Sequence, residues 1–152
     1  MTDPDIQAAQ RRLAYHAAIL FLLGGLTGGY LSAAETGKIA VDPGHARGAH
    51  LNAILATFWL LGLGWSLGFA RLSTAKVNLL AGLAILSSYA NWLVTAIKAA
   101  LFVRGVDLET GTPHAAANNI VFAVLTATVV LPTIAACALW IWALRPGAPP
   151  RA

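Results

Sequence analysis

The sequence predicts an all-α membrane protein built as a four-transmembrane-helix bundle, and three observations carry that prediction. Of its 152 residues, 58% are hydrophobic and 11% charged, where a water-soluble domain carries about a quarter charged residues. The apolar residues collect in four runs, near residues 13–33, 50–70, 77–103 and 118–144, each reaching the roughly 20 residues that cross hydrocarbon. None of the runs alternates polar with apolar residues as a barrel strand does, and an isolated strand in lipid would strand its backbone groups. The length leaves room for one domain, residues 1–152.

Residues 1–10 read as a short polar, acidic tail. The first run carries no formal charge and is longer than the apolar core of a signal peptide, about 7–15 residues, so it reads as a retained helix. Its pairs Gly24/Gly28 and Gly25/Gly29 are spaced for close helix approach. The second run opens at His50, with Ile54, Thr57, Leu61, Gly64 and Gly68 continuing one face. The third holds a single charge, Lys98, near enough to its end for the side chain to snorkel. The fourth contains Pro132, which should kink or locally open it, and Trp140 and Trp142, which resemble an interfacial anchor. Between the runs lie a loop at 35–49 with His45 and Arg47, a basic turn at 71–76, and a polar loop at 104–117 with Asp107, Glu109, Pro113 and His114.

The formal charge of +4 does not indicate a nucleic-acid partner, because the Lys and Arg residues are dispersed singly apart from Arg11-Arg12. Lipid headgroups and orientation explain them. Arg11, Arg12, Arg71, Lys76, Arg145 and Arg151 fall on one side, against Lys38, Arg47, Lys98 and Arg104 on the other. That bias predicts that both termini are cytoplasmic, and the expected location is the bacterial inner (cell) membrane, as a multi-pass protein. Cys137 is the single cysteine, which rules out an intrachain disulfide and leaves a small packing residue.

Polar side chains inside the runs are few and therefore informative. Ser87, Asn91, Thr95 and Lys98 recur at spacings of four, four and three, a stripe within roughly 80° of helical arc. It must face protein, a cofactor or water, and the plain reading is interhelical hydrogen bonding at about 1 kcal/mol each. Of the four histidines, His45 and His114 are expected in solvated loops. His16 lies one turn inside the first run and His50 at the mouth of the second. That puts them on opposite faces, about 20 Å or more apart if the hydrocarbon is about 30 Å thick, so they should not share one haem within a subunit. Each is a metal ligand or a hydrogen-bonded structural imidazole. No Asp or Glu lies within a run, which counts against a small proton-coupled transporter. Phosphate-cradling and zinc-type spacings are also missing.

At Ala49-His50-Leu51, at Tyr89-Ala90-Asn91-Trp92-Leu93 and at Arg11-Arg12-Leu13-Ala14-Tyr15-His16, the chain resembles the hydroxylaminobenzene mutases and, more distantly, the styrene oxide isomerases. The likeness runs from Arg11 to about Trp142. It implies a membrane isomerase that moves a hydroxyl within an aryl hydroxylamine, such as hydroxylaminobenzene, to give an aminophenol. It also implies a haem b whose iron is ligated by His50, with Asn91, Trp92 and His16 beside the cofactor. Asn91, with Thr95 on its face, and Tyr89 form the expected catalytic set, and Tyr89 and Trp92 the aromatic walls. The epoxide isomerases carry a tyrosine one turn beyond the asparagine and an acid one turn before it. Here those positions are Thr95 and Ser87, which favours the hydroxylamine over the epoxide. A further asparagine of that family, between one and two turns beyond the histidine, is not reproduced at Ala56-Thr57. The implied partners are a small aromatic substrate, the lipid bilayer and further copies of the chain, a trimer with haem near its interfaces. The rival readings are an epoxide isomerase, a non-enzymatic transporter or interaction module, and a haem electron carrier.

Overall fold

The structure, a computed structural model, describes residues 4–146, so Arg151 of the charge count lies outside the described residues. Four helical rods follow one another: α1 (Pro4–Glu35), α2 (Pro43–Ser66), α3 (Thr74–Leu101), and a last rod made of α4 (Ala115–Leu125), a π-turn (Thr126–Val130) and α5 (Leu131–Leu144). Among the described residues there is no strand. The segments Pro4–Glu35, Thr74–Leu101 and Ala115–Leu144 are each long and apolar enough to cross a membrane. In α2 the apolar run is interrupted by His45, Arg47, His50 and Asn52 in its first half.

α1 begins well before the first apolar run. Ile6, Ala9, Leu13, Ala17, Leu20, Gly24 and Thr27 are buried at spacings of three and four, one continuous stripe. Residues expected as a polar tail are therefore helical, because Ile6 and Ala9 extend that stripe. Gln10 fixes the packing by donating to the Gly64 carbonyl at 3.0 Å.

α2 also starts early, seven residues before His50. Asp42 caps it, accepting the His45 backbone N–H at 2.7 Å, and Pro43 takes the first helical turn, where its missing N–H costs nothing. That same N–H holds the Asp42 carboxyl below the usual carboxylate range. His45 is consequently in the first turn of α2 and not in a loop, and His50 is two turns inside the helix and not at its mouth. The helix stops at Ser66, so Gly68 lies in the turn beyond it.

α3 ends at Phe102 in the left-handed conformation, φ 54°. The polar loop that follows is tied to the last rod by two amides. Asn118 is fully buried, accepts from the Gly105 N–H at 2.6 Å and donates to the Asp107 carbonyl at 2.8 Å. Asn119 does the same for the N–H and carbonyl of Glu109. The opening expected at Pro132 takes the form of the π-turn. Proline has no N–H to give the carbonyl four residues back, and the Leu131 N–H bonds the Thr126 carbonyl five back instead.

α1 and α2 pack antiparallel along nearly their whole length, from Leu13 against Gly64 to Gly28 against His50. α3 lies against both, and the last rod packs on α3 without backbone contact to α2. At one end Lys76 and Arg145 cap the Trp142 ring, and the Arg71 N–H bonds the Ala143 carbonyl. Trp140, expected as an anchor, turns inward, donating to the Ser66 hydroxyl at 2.9 Å and packing edge-on against Trp59.

The two glycine pairs of α1 separate by face. A Cβ on Gly24 would lie 2.6 Å from an Ile54 methyl and 3.4 Å from the Ala53 Cβ, whereas Gly25 and Gly29 look into open space. Gly24→Val should therefore lower stability by about 1–3 kcal/mol through overpacking, while Gly25→Val, with the same change in helix propensity, should cost well under half of that. Thermal unfolding of the detergent-purified variants checks this, and equal losses would remove the α1–α2 contact from the account.

Candidate active site

Polar side chains placed within apolar helices are paired across the bundle on all three contacts among α1, α2 and α3. On the α1–α2 contact, His50 Nδ1 lies 2.8 Å from the Gly24 carbonyl, so Nδ1 carries the proton and Nε2 keeps its lone pair. Gly28 leaves room for the ring, since a Cβ there would meet it at 3.4 Å. On the α1–α3 contact, His16 Nδ1 pairs with the Tyr89 hydroxyl at 3.1 Å, and Trp92 Nε1 donates to the Thr27 hydroxyl at 2.9 Å. On the α2–α3 contact, Asn52 Nδ2 donates to Asn91 Oδ1 at 3.2 Å and to Thr95 Oγ1 at 3.1 Å.

The Trp92–Thr27 pair lines an apolar groove between α1 and α3 with Leu23, Leu26 and Tyr30, and the Asn52 cluster borders a cleft walled by three rods. α2 and the last rod stand apart above α3, leaving a space of about 290 Å³. An engineered apolar cavity of about 150 Å³ holds benzene, so a single aromatic ring with a substituent fits here. α2 contributes Asn52, Leu55, Ala56 and Trp59 to one wall; α3 contributes Ser87, Ser88 and Asn91 to the floor. Val129, Thr133 and Cys137, four apart and reached through the π-turn, form the other wall. Trp140 bridging to Trp59 and Ser66 closes one end. Cys137 therefore lines the cleft.

The stripe of α3 faces inward, with Ser87, Thr95 and Lys98 buried. Asn91 lines the cleft, and Asn52 joins it to Thr95, buried one turn further along α3. The sequence reading passed over Asn52, although an amide two residues from His50 in an apolar run had to find a partner. Tyr89 and Trp92 point to α1 and do not line the cleft, being about 160° and 100° around α3 from Asn91. His50 lies about 160° around α2 from Asn52 and so faces α1. His16 is eight residues from Gly24, and His50 packs between Gly24 and Gly28. The two histidines are thus offset along α1 by about 12–18 Å. That is shorter than expected, because His50 sits two turns inside α2.

A four-rod bundle, three of whose rods are long and apolar enough to cross a membrane, with a one-ring cleft floored by a paired amide is the frame, and comparison places it. A family model described as styrene oxide isomerase matches residues 9–145, and the chain belongs to that family and is an isomerase. It is also similar to the hydroxylaminobenzene mutase HabB of Ectopseudomonas oleovorans, 32% identical over 141 residues, which covers 89% of this chain and 80% of that protein. No solved structure matches it.

Tyr89→Phe removes the hydrogen bond to His16 and nothing from the cleft. It should cost about 1 kcal/mol of stability and leave turnover within about twofold. Loss of turnover in a protein of unchanged stability would bring the phenol into the chemistry.

Proposed function

We propose that the protein is a membrane isomerase that converts an aryl hydroxylamine, of the hydroxylaminobenzene kind, into an aminophenol in the cleft between α2, α3 and α5. The observation that carries this reading is the Asn52–Asn91–Thr95 cluster at the edge of a space sized for one substituted ring. In the reaction the N–O bond breaks and a C–O bond forms at a ring carbon. That carbon loses a proton, the nitrogen gains one, and no electrons are exchanged with a partner. Asn91 and Thr95 hold the polar end of the substrate, and the apolar walls from Leu55, Ala56 and Val129 take the ring. Such walls exclude water, which would otherwise compete with the migrating hydroxyl.

The epoxide reading is the weaker one. No carboxylate or phenol lines the cleft among the described residues. Ser87, where the epoxide isomerases carry an acid, spends its hydroxyl on the Ala84 carbonyl.

The donor set of His50 fits a residue that would hold a haem. Its Nδ1 is committed to a backbone carbonyl, which fixes the tautomer and orients the ring, leaving Nε2 as the ligating nitrogen. A haem b held there would supply Lewis-acid chemistry for breaking an N–O bond. The cleft is far too small for a porphyrin as well as a substrate. His50 and Asn91 also serve opposite sides of α2. Both facts favour a haem between copies of the chain, with the His50 of one copy serving the cleft of another, as a homo-trimer would allow. His16, on the α1–α3 side, lies nearer the periphery of such a group. The clustering of Arg11, Arg12, Arg71, Lys76 and Arg145 at one end of the bundle supports insertion in the bacterial inner membrane with both termini cytoplasmic.

Two variants test the reading on the purified protein. His50→Ala should remove or strongly shift the Soret band, and Asn91→Ala should lower hydroxylaminobenzene turnover at least about tenfold with haem content intact. An unchanged spectrum in the first would dismiss His50 as the ligand, and normal turnover in folded Asn91→Ala would dismiss the cleft.

A further inference from the structure

We propose that Asn52 is a positioning residue that turns Asn91 and Thr95 so that the cleft meets its substrate with hydrogen-bond donors. The substrate's polar end would therefore be recognised as an acceptor oxygen. This rests on the reading of the cleft as the substrate site and deepens it.

A primary amide nitrogen carries two N–H groups and a carbonyl oxygen carries none. Asn52 Nδ2 spends both of its protons, one on Asn91 Oδ1 at 3.2 Å and one on Thr95 Oγ1 at 3.1 Å. Because the Asn91 oxygen is the end held by Asn52, its Nδ2 is the end left for the cleft that Asn91 lines. Thr95, having accepted, keeps its O–H to give.

Four other threonines inside the helices show what Thr95 does not do. Thr27, Thr57, Thr126 and Thr128 each donate to the carbonyl one turn back in their own helix, at 2.6 to 3.0 Å. That is the usual way to satisfy a hydroxyl in an apolar helix. Thr95 makes no such bond, and its methyl is held against Gly48, where a Cβ would approach it at 3.3 Å. Two donors in apolar surroundings are thus left for an incoming group, and a hydroxylamine oxygen answers both. Asn52 is needed because an unrestrained Asn91 amide can offer either end, whereas one held by its oxygen offers only N–H.

Asn52→Asp tests the polarity with almost no change of shape. A carboxylate at position 52 accepts only, so it draws the Asn91 Nδ2 and the Thr95 O–H to itself and turns the Asn91 oxygen toward the substrate. Turnover number on hydroxylaminobenzene should fall at least about tenfold and KM should rise, with melting temperature and haem content held because the bonds to position 52 are re-formed. An unchanged turnover number would mean that the amides are oriented the other way and would overturn the proposal. Should that variant fold poorly, a mutant cycle decides. Asn52→Ala should lower turnover in the parent but add nothing in an Asn91→Ala, Thr95→Val background, since Asn52 acts only through those two. Additive losses would overturn the positioning role. Asn91→Ala alone separates the two levels: if it turns over normally, the cleft reading fails, and if it does not, the Asn52 results judge this inference by itself.

Discussion

Inside a bilayer no water is at hand to solvate an amide or an imidazole, so each polar side chain along these helices has to be answered by another group of the chain. In this bundle the answers run between helices: His50 to the Gly24 carbonyl, His16 to Tyr89, Trp92 to Thr27, Trp140 to Ser66. Each is worth only about 1 kcal/mol, but each is directional, and together they fix how far every helix slides along its neighbour. The bond from Asn52 to Asn91 and Thr95 belongs to the same set. It borders the cleft between α2, α3 and the last rod, so in the proposed function the groups that lock α2 to α3 would also be the groups a substrate meets.

That space exists because the bundle is packed unevenly. Gly24 and Gly64 let α1 and α2 close on each other, and this tight pair seats α3. The last rod has only α3 to rest on and stands away from α2, with Trp140 as the strut between them. Pro132 adds the second ingredient. By forcing a π-turn it rotates the second half of the rod and sets Val129, Thr133 and Cys137 along the cleft. A residue that breaks a helix ladder in lipid is costly, and π-turns gather at functional sites where the altered register is used.

Much of this was legible in the sequence. Four apolar runs gave four rods, since hydrophobic length in a membrane leaves few alternatives. The α3 stripe of Ser87, Asn91, Thr95 and Lys98 faces inward as its spacing required. α1 and α2 begin earlier than apolar content alone predicts, because Asp42-Pro43, a cap and first-turn pair, and the stripe through Ile6 and Ala9 set their starts. Misplacing the start of α2 carried over to His50, which then looked like a residue at a membrane face. Asn52 was missed for a different reason. Periodicity identifies a polar stripe within one helix, but Asn52 is a single amide whose meaning comes from the α3 residues opposite it. The aromatic pair Tyr89 and Trp92 shares a sequence string with Asn91 but not a helix face, so adjacency in sequence put them at the cleft and geometry puts them against α1.

The central claim is that the cleft rearranges an aryl hydroxylamine without help from an external redox partner. The direct measurement is to give the detergent-purified protein hydroxylaminobenzene in oxygen-18 water, anaerobically and with no added oxidant or reductant, and to weigh the product. The account predicts an aminophenol, formed one for one, whose oxygen comes from the substrate, because the apolar walls keep solvent from the migrating hydroxyl. Unchanged hydroxylamine, or an aminophenol carrying the label from water, would contradict it.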